Sequence, residues 1–210
     1  MSTDAYVHIR TAGIAGGTLA FAFHGTGADE HQLVGLAGEL MPGATIVSPR
    51  GDVSEYGAAR FFRRTGEGVY DMADLERATR KMAGFVAAHR DTERPARTVG
   101  LGYSNGANIL ASTIFAQPGL FDAAALMHPL IPFEPTYAGR LEHLRILITA
   151  GRRDPICPPD LTERLALSLA QAGAKVETAW HDGGHEVRPA EIDAARKFLA
   201  ANPANEEQRA

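Results

Sequence analysis

Val99-Gly100-Leu101-Gly102-Tyr103-Ser104-Asn105-Gly106-Ala107-Asn108-Ile109-Leu110 joins an aliphatic run to a helical pattern through a serine flanked by glycines. The first half is short, apolar and bounded by glycine, as a buried strand is, and the second half spaces its apolar residues at helical intervals. Gly102–Gly106 matches G-x-S-x-G, in which the serine occupies a tight strand-to-helix turn that lifts its hydroxyl above the sheet. Gly102 and Gly106 carry no side chains where strand and helix must approach closely. Alone the pattern is weak, since chance supplies it in roughly one chain in ten at a glycine-rich composition such as this. Its context makes it specific.

On either side, short β-branched or aliphatic runs read as buried strands: Thr18–Phe23, Ala44–Ser48, Thr98–Tyr103, Ala123–Met127, Leu144–Thr149 and Lys175–Trp180. Leu144–Ile148 is apolar almost throughout, which suits a strand covered on both faces. Tyr6–Arg10 adds an antiparallel edge strand. Helical spacing falls over Glu30–Leu40, Asp71–His89, Asn105–Phe115, Asp160–Ala172 and Ala190–Ala201. Asp71 with Asp74, and Asp160 with Glu163, stand at N-cap and third positions. Strand and helix in alternation predict an α/β fold. Its mainly parallel central sheet has about seven strands with helices on both faces, and ligands bind at the strands' carboxyl ends. Residues 1–201 are expected to form a single domain, with the polar tail 202–210 disordered. Arg50–Val69 breaks the alternation. It is polar, Gly-rich and long for a structureless loop, which points to a binding loop.

Composition narrows the partners. With 45% hydrophobic and 22% charged residues the chain fits a soluble globular protein, and a formal charge of −4 argues against a nucleic-acid backbone or an anionic membrane as main partner. Met1–Arg10 has no apolar run resembling a secretory signal, and no stretch is long enough to span a bilayer. Cys157 is the only cysteine, so neither an intrachain disulfide nor a cysteine-built zinc site can form. A cytoplasmic location is expected.

A nucleophilic serine needs a base, and the base needs an orienting acid. Asp154 follows the strand Leu144–Thr149 within Gly151–Pro155, and His185 follows the strand ending at Trp180 within Asp182–His185. Both fall at carboxyl ends of strands, on the rim of Ser104, in the chain order serine, acid, histidine. Each has a rival. Asp154 also reads as a turn aspartate before proline, but the alternative acid, Asp160, is better placed to cap a helix. His181 is the alternative base, and His181 with His185 invites a metal reading. Gly183–Gly184 breaks the helix such a pair would need, and Pro189 stands where H-E-x-x-H requires its second histidine. No metal is expected. Acyl transfer also needs N–H donors for the developing oxyanion. The backbone of Asn105 supplies one, and Thr26 in the glycine-rich loop Phe23–Gly27 is the expected second. His24 reads as a satisfied loop histidine, and Cys157 as a packed small hydrophobe.

Taken together, His24–Gly27, Gly102–Gly106, Asp154–Ile156 and Gly184–His185 resemble the carboxylesterase/phospholipase branch of the α/β-hydrolase superfamily, in order from about residue 18 to 199. Arg50–Asp52 with Phe61–Arg64 is most similar to its bacterial hydroquinone-resistance-operon hydrolase-like subgroup. The resemblance implies an α/β-hydrolase fold without a large lid domain. It also implies a cofactor-free serine carboxylesterase for small or medium acyl esters, working through an acyl-enzyme, often as a homodimer. It supports Thr26 and Asn105 as oxyanion donors. Acyl thioesterase or lysophospholipase activity is the alternative within the branch, although thioesterases carry Gln where this chain has Asn105. A non-catalytic receptor or scaffold on this fold usually lacks a member of the triad, and here all three are present. For the Arg-rich segment two readings stand. Arg60, Arg63 and Arg64 are solvated or paired with Glu67 and Asp71. Alternatively, Phe61 and Phe62 wall an acyl pocket in which Arg63 or Arg64 recognises an anionic substrate group.

Overall fold

A computed structural model describes residues 2–201, so the tail 202–210 lies outside the described residues. In chain order the elements are β1 (His8–Thr11), β2 (Thr18–Phe23), α1 (Val34–Leu40), β3 (Thr45–Pro49), β4 (Val53–Glu55), β5 (Ala58–Arg60), β6 (Arg64–Gly66), β7 (Val69–Tyr70), α2 (Met72–Glu93), β8 (Arg97–Tyr103), α3 (Asn105–Ala116), β9 (Ala123–Met127), β10 (Arg145–Gly151), α4 (Pro159–Gln171), β11 (Lys175–His181) and α5 (Pro189–Ala200). Seven of the strands pair into one sheet in the order β1-β3-β2-β8-β9-β10-β11. The edge strand β1 is antiparallel to β3, and every other pairing is parallel. This is the sheet that the alternating pattern predicts, except that β11, expected as a buried strand, is an edge strand and largely exposed.

Side chains that alternate along a strand divide the core in two. Leu19, Phe21 and Phe23 of β2, with Ile146 and Ile148 of β10, face the layer built by α2, α3 and α4. Ala20 and Ala22, with Leu147, face the layer of α1 and α5, where Leu40, Phe198 and Leu199 meet them. Each fully buried Phe or Leu in these layers contributes roughly 1.5–3 kcal/mol. No helix among the described residues is long and apolar enough to cross a membrane.

The helices start where capping allows. Asp71 accepts the Asp74 N–H at 3.1 Å, as its spacing predicts. The helix expected from Glu30 begins only at Val34, because Asp29 holds a turn through the His31 N–H and the Glu30 carboxylate pairs with Arg50. The expected pairing of Asp160 with Glu163 does not form. Pro158 and Pro159 open α4, and no side chain caps it. The segment 50–69 is not structureless, for β4–β5 and β6–β7 form two small hairpins over the sheet's carboxyl edge.

Gly102 lets β8 meet α3, and Gly106 lets α3 meet the end of β2. A Cβ on Gly106 would stand 2.0 Å from the Phe23 carbonyl oxygen, and one on Gly102 would stand 2.6 Å from the Gly106 carbonyl oxygen. Both obstacles are backbone and cannot give way cheaply. Gly106→Val is therefore expected to lower the thermal midpoint by about 10 °C or more, or to leave the protein insoluble. A melting curve that superposes on the wild type would contradict this packing.

Candidate active site

Ser104 stands between β8 and α3 at φ 52° and ψ −116°, a backbone that residues with a side chain rarely adopt. Its N–H donates to the Met127 carbonyl at 2.8 Å, which anchors the turn to β9. The hydroxyl thus meets the base: Ser104 Oγ lies 2.9 Å from His185 Nε2, and His185 Nδ1 lies 2.7 Å from Asp154 Oδ2. A carboxylate accepts only, so Nδ1 carries the hydrogen and Nε2 turns its lone pair to the serine. The three residues read from chain order form one line of hydrogen bonds.

Asp154 is held from both sides. Its Oδ1 accepts the Ile156 and Cys157 N–H groups at 2.8 and 3.0 Å, while Oδ2 also lies 2.9 Å from His128 Nδ1. Burial alone would raise its pKa, but the donors on Cys157, His128, His185 and Ile156 together hold it below the usual carboxylate range. The loop carrying His185 is pinned by Tyr103, whose hydroxyl donates to the His185 carbonyl at 2.8 Å.

Thr26 and Asn105 lie beside Ser104 in the same cavity. Neither backbone N–H has a hydrogen-bond partner among the described residues, so both are free to donate to a ligand. The loop bearing Thr26 is fixed by the Gly27 N–H, which donates to the Ala59 carbonyl at 3.0 Å, and by Arg60 Nη1, which donates to Thr26 Oγ1 at 2.8 Å. The Asn105 side chain has a structural task as well, since its Oδ1 accepts the Phe61 N–H at 2.8 Å. His24 is the satisfied loop histidine its sequence suggests: Nδ1 donates to the Gly25 carbonyl at 2.7 Å, and Nε2 accepts the Gly51 N–H at 2.9 Å. Burial lowers its pKa and keeps it neutral.

The cavity has a volume of about 320 Å³, and Thr26, Arg60, Arg64, Tyr70, Leu130 and Ile156 line it around Ser104 and His185. Asn108 braces its wall, donating to the Tyr70 hydroxyl at 2.8 Å and accepting the Leu130 N–H at 2.7 Å. Phe61 and Phe62 do not wall it. Both are fully buried, Phe61 against Phe23 and His24 and Phe62 against Tyr70, because the chain bends between β5 and β6 and turns both rings into the core. Arg63 is exposed and absent from the lining, and its N–H donates to Asp74 Oδ2 at 2.7 Å. Arg64 does line the cavity, joined by Arg60. Their acidic partner is Glu55, not Glu67 or Asp71, since β4 brings it within 3.6 Å of Arg60 Nη1 and 2.9 Å of Arg64 Nε.

Cys157 is buried, its thiol donates to the His128 carbonyl at 3.2 Å, and burial pushes its pKa up, so it packs as an inert group. His128 and Glu191 are the site-proximal residues that the motifs missed. Their one signal was that His128 directly follows the buried strand β9, as Ser104 follows β8. His128 Nε2 lies 2.9 Å from Glu191 Oε1, and His181 Nε2 lies 3.1 Å from Glu191 Oε2. Two groups, His128–His181–Glu191 and His128–Asp154–His185, bring donor atoms within 4.8 Å of one another. His128 Nδ1, His181 Nδ1 and both nitrogens of His185 are hydrogen-bonded to Asp154, the Gly183 N–H and the Ser104 hydroxyl, while His128 Nε2 and His181 Nε2 stand close to Glu191 outside hydrogen-bond geometry. The arrangement is a chain of proton donors and acceptors ending at a serine hydroxyl. It can remove that proton and return it.

No family profile matches the chain. MhqD of Bacillus subtilis (strain 168), assigned as a hydrolase, is 36% identical over 193 residues, covering 91% of this chain and 96% of its own. The crystal structure of Atu2452 from Agrobacterium tumefaciens str. C58, a protein of unknown function, is 60% identical with a TM-score of 0.91, covering 95% of this chain and 98% of that one. The Bacillus cereus carboxylesterase is 34% identical with a TM-score of 0.88, covering 92% and 93%.

Proposed function

This chain belongs to the family of MhqD-like hydrolases and carboxylesterases with the α/β-hydrolase fold, and we propose that it is a serine carboxylesterase acting on small or medium acyl esters through an acyl-enzyme. The observation that carries the reading is the hydrogen-bonded line from Asp154 through His185 to Ser104, on a strained turn beside two unpartnered N–H groups. In this reading His185 Nε2 takes the Ser104 proton as Oγ attacks the ester carbonyl. The Thr26 and Asn105 N–H groups receive the oxyanion, each contributing about 10²–10³ in rate. His185 then returns the proton to the leaving alcohol, and a water activated by the same nitrogen releases the acid. Asp154 stays ionised and stabilises the imidazolium.

The cavity of about 320 Å³ is at the small end for ligand sites, which favours short acyl groups over lysolipids. A series of oxygen esters of rising chain length, matched thioesters and lysolipids, with Ser104→Ala as control, tests the reading. Short and medium oxygen esters are expected to turn over fastest. Faster turnover of thioesters or lysolipids would favour the alternative activity.

Arg60 and Arg64 supply the selectivity in this reading. Both guanidinium groups line the cavity, and both share the Glu55 carboxylate, which leaves further N–H donors for a substrate carboxylate. A hydrogen bond to a charged group contributes about 1.5–3 kcal/mol. Arg64→Gln is therefore expected to lower the ratio of kcat/KM for 4-nitrophenyl hemisuccinate over 4-nitrophenyl butyrate by about tenfold or more. Arg63→Ala, outside the cavity, is expected to leave that ratio as it was. An unchanged ratio in Arg64→Gln would confine Arg64 to holding its hairpin.

A further inference from the structure

We propose that His128 is a lasting imidazolium that bridges Asp154 and Glu191, and that this positioning residue sets the acid limb of the esterase pH profile. The inference rests on the triad reading above and goes beyond it, because no step of acyl transfer requires a second buried histidine.

Geometry leaves His128 little choice of protonation. Its Nδ1 lies 2.9 Å from Asp154 Oδ2 and its Nε2 lies 2.9 Å from Glu191 Oε1. The side chains of His128 and Asp154 have no accessible surface, and that of Glu191 is 2% exposed, so water cannot relieve a mismatch. A ring nitrogen without hydrogen facing a buried carboxylate would set lone pair against lone pair, so both nitrogens must carry hydrogen. The Glu191 contact is short but bent away from hydrogen-bond geometry, so it acts as an ion pair.

Moving the proton to a carboxylate is disfavoured, because three of the four oxygens already face a donor other than His128, and only Glu191 Oε1 has no other partner among the described residues. Asp154 Oδ1 accepts two backbone N–H groups, and Oδ2 faces both His128 and His185. Glu191 Oε2 accepts the Arg188 N–H at 2.7 Å and faces His181 Nε2. That nitrogen carries hydrogen, since His181 Nδ1 accepts the Gly183 N–H at 2.9 Å. Titration tendencies agree: burial would lower the pKa of His128, but Glu191 and Asp154 together raise it. Both carboxylates are held below their ordinary range.

The groups around His128 come from four elements. Asp154 stands after β10, Glu191 on α5, His181 at the end of β11 and Tyr103 at the end of β8; the His181 and Tyr103 rings are centred 5.5 and 6.0 Å away. Cys157 reaches the His128 carbonyl. Burial raises the Tyr103 and Cys157 pKa values, so both stay uncharged. The His185 ring is centred 5.1 Å from His128. A fixed positive charge at that range shares the Asp154 oxygen that His185 uses.

His128→Asn removes the charge while keeping a residue that tolerates the left-handed φ of 51° at this position. With the cation gone, Asp154 Oδ2 faces His185 alone. The acid limb of kcat/KM is expected to move up by about one pH unit. A role confined to packing would lower activity at every pH and leave the limb in place. Should the variant fold poorly, the wild type still answers through its imidazole ¹⁵N shifts, with both His128 nitrogens expected to be protonated at pH 7. An unprotonated His128 nitrogen at pH 7, or a limb that stays or moves down in His128→Asn, would overturn the proposal. The nitrogen shifts are readable whether or not Ser104 is the nucleophile. Failure of the triad, seen as activity retained in Ser104→Ala, is therefore told apart from failure of this bridge.

Discussion

Ser104→Ala is expected to lower kcat on 4-nitrophenyl acetate by about 10⁶. The loss is large because the three residues act as a unit. Without the hydroxyl, His185 Nε2 loses the Oγ that stood 2.9 Å away, and the acyl-enzyme cannot form. The Thr26 and Asn105 N–H groups remain, and such donors with substrate binding leave roughly 10³–10⁴ over the uncatalysed rate. The fold should survive, since the turn at φ 52° is held by the Met127 carbonyl and by the close glycine contacts of α3 with β8 and the end of β2, none of which uses Oγ. A melting curve like the wild type's, measured beside kcat, separates lost chemistry from lost structure. Most of the activity surviving in a folded Ser104→Ala protein would remove Ser104 from the chemistry.

Asp154→Asn is expected to cost about 10⁴ in kcat. The carboxylate accepts from four groups: the Ile156 and Cys157 N–H groups, His128 Nδ1 and His185 Nδ1. An amide has one accepting oxygen and an NH₂ that only donates. If the oxygen stays with the backbone N–H groups, the NH₂ faces both histidines. His185 is then driven to the other tautomer, with Nε2–H set against the serine hydroxyl. His128 also loses one of its two anionic partners, and leaving a buried charge without its counter-ion costs about 3–5 kcal/mol. Activity and stability should therefore both fall, and a melting scan beside the kinetics would show it. A loss of less than tenfold in kcat would mean that Asp154 does not orient the base.

Much of this site is legible in the amino-acid sequence, for a physical reason. Ser104 directly follows β8, Asp154 and His185 stand in the loops after β10 and β11, and parallel strands all end on one rim, so local pattern alone brings distant residues together. Gly102 and Gly106 are legible because a close backbone approach excludes a Cβ. The pairing of His128 with Asp154 and Glu191 is not, since no local spacing reports a contact between a strand end and a helix so far along the chain. The segment 50–69 misleads in detail. Strands of two or three residues leave no alternation to read, so the hairpins are hidden and nothing tells which way Phe61 and Phe62 turn. Arg60, which reads only as part of a charged run, is nearly buried, with its guanidinium on Thr26. Helix starts slip where side chains are already engaged, as Glu30 is with Arg50.

The most direct test of a serine-based acyl transfer is covalent. A fluorophosphonate reacts with a serine only where a base activates the hydroxyl and N–H donors receive the phosphoryl oxygen. Treating the folded wild type with such a probe, then mapping the modified peptide by mass spectrometry, should place a single adduct on Ser104 with parallel loss of esterase activity. Ser104→Ala should take up no label. An unlabelled wild type, or an adduct on another residue with activity lost, would contradict Ser104 as the nucleophile.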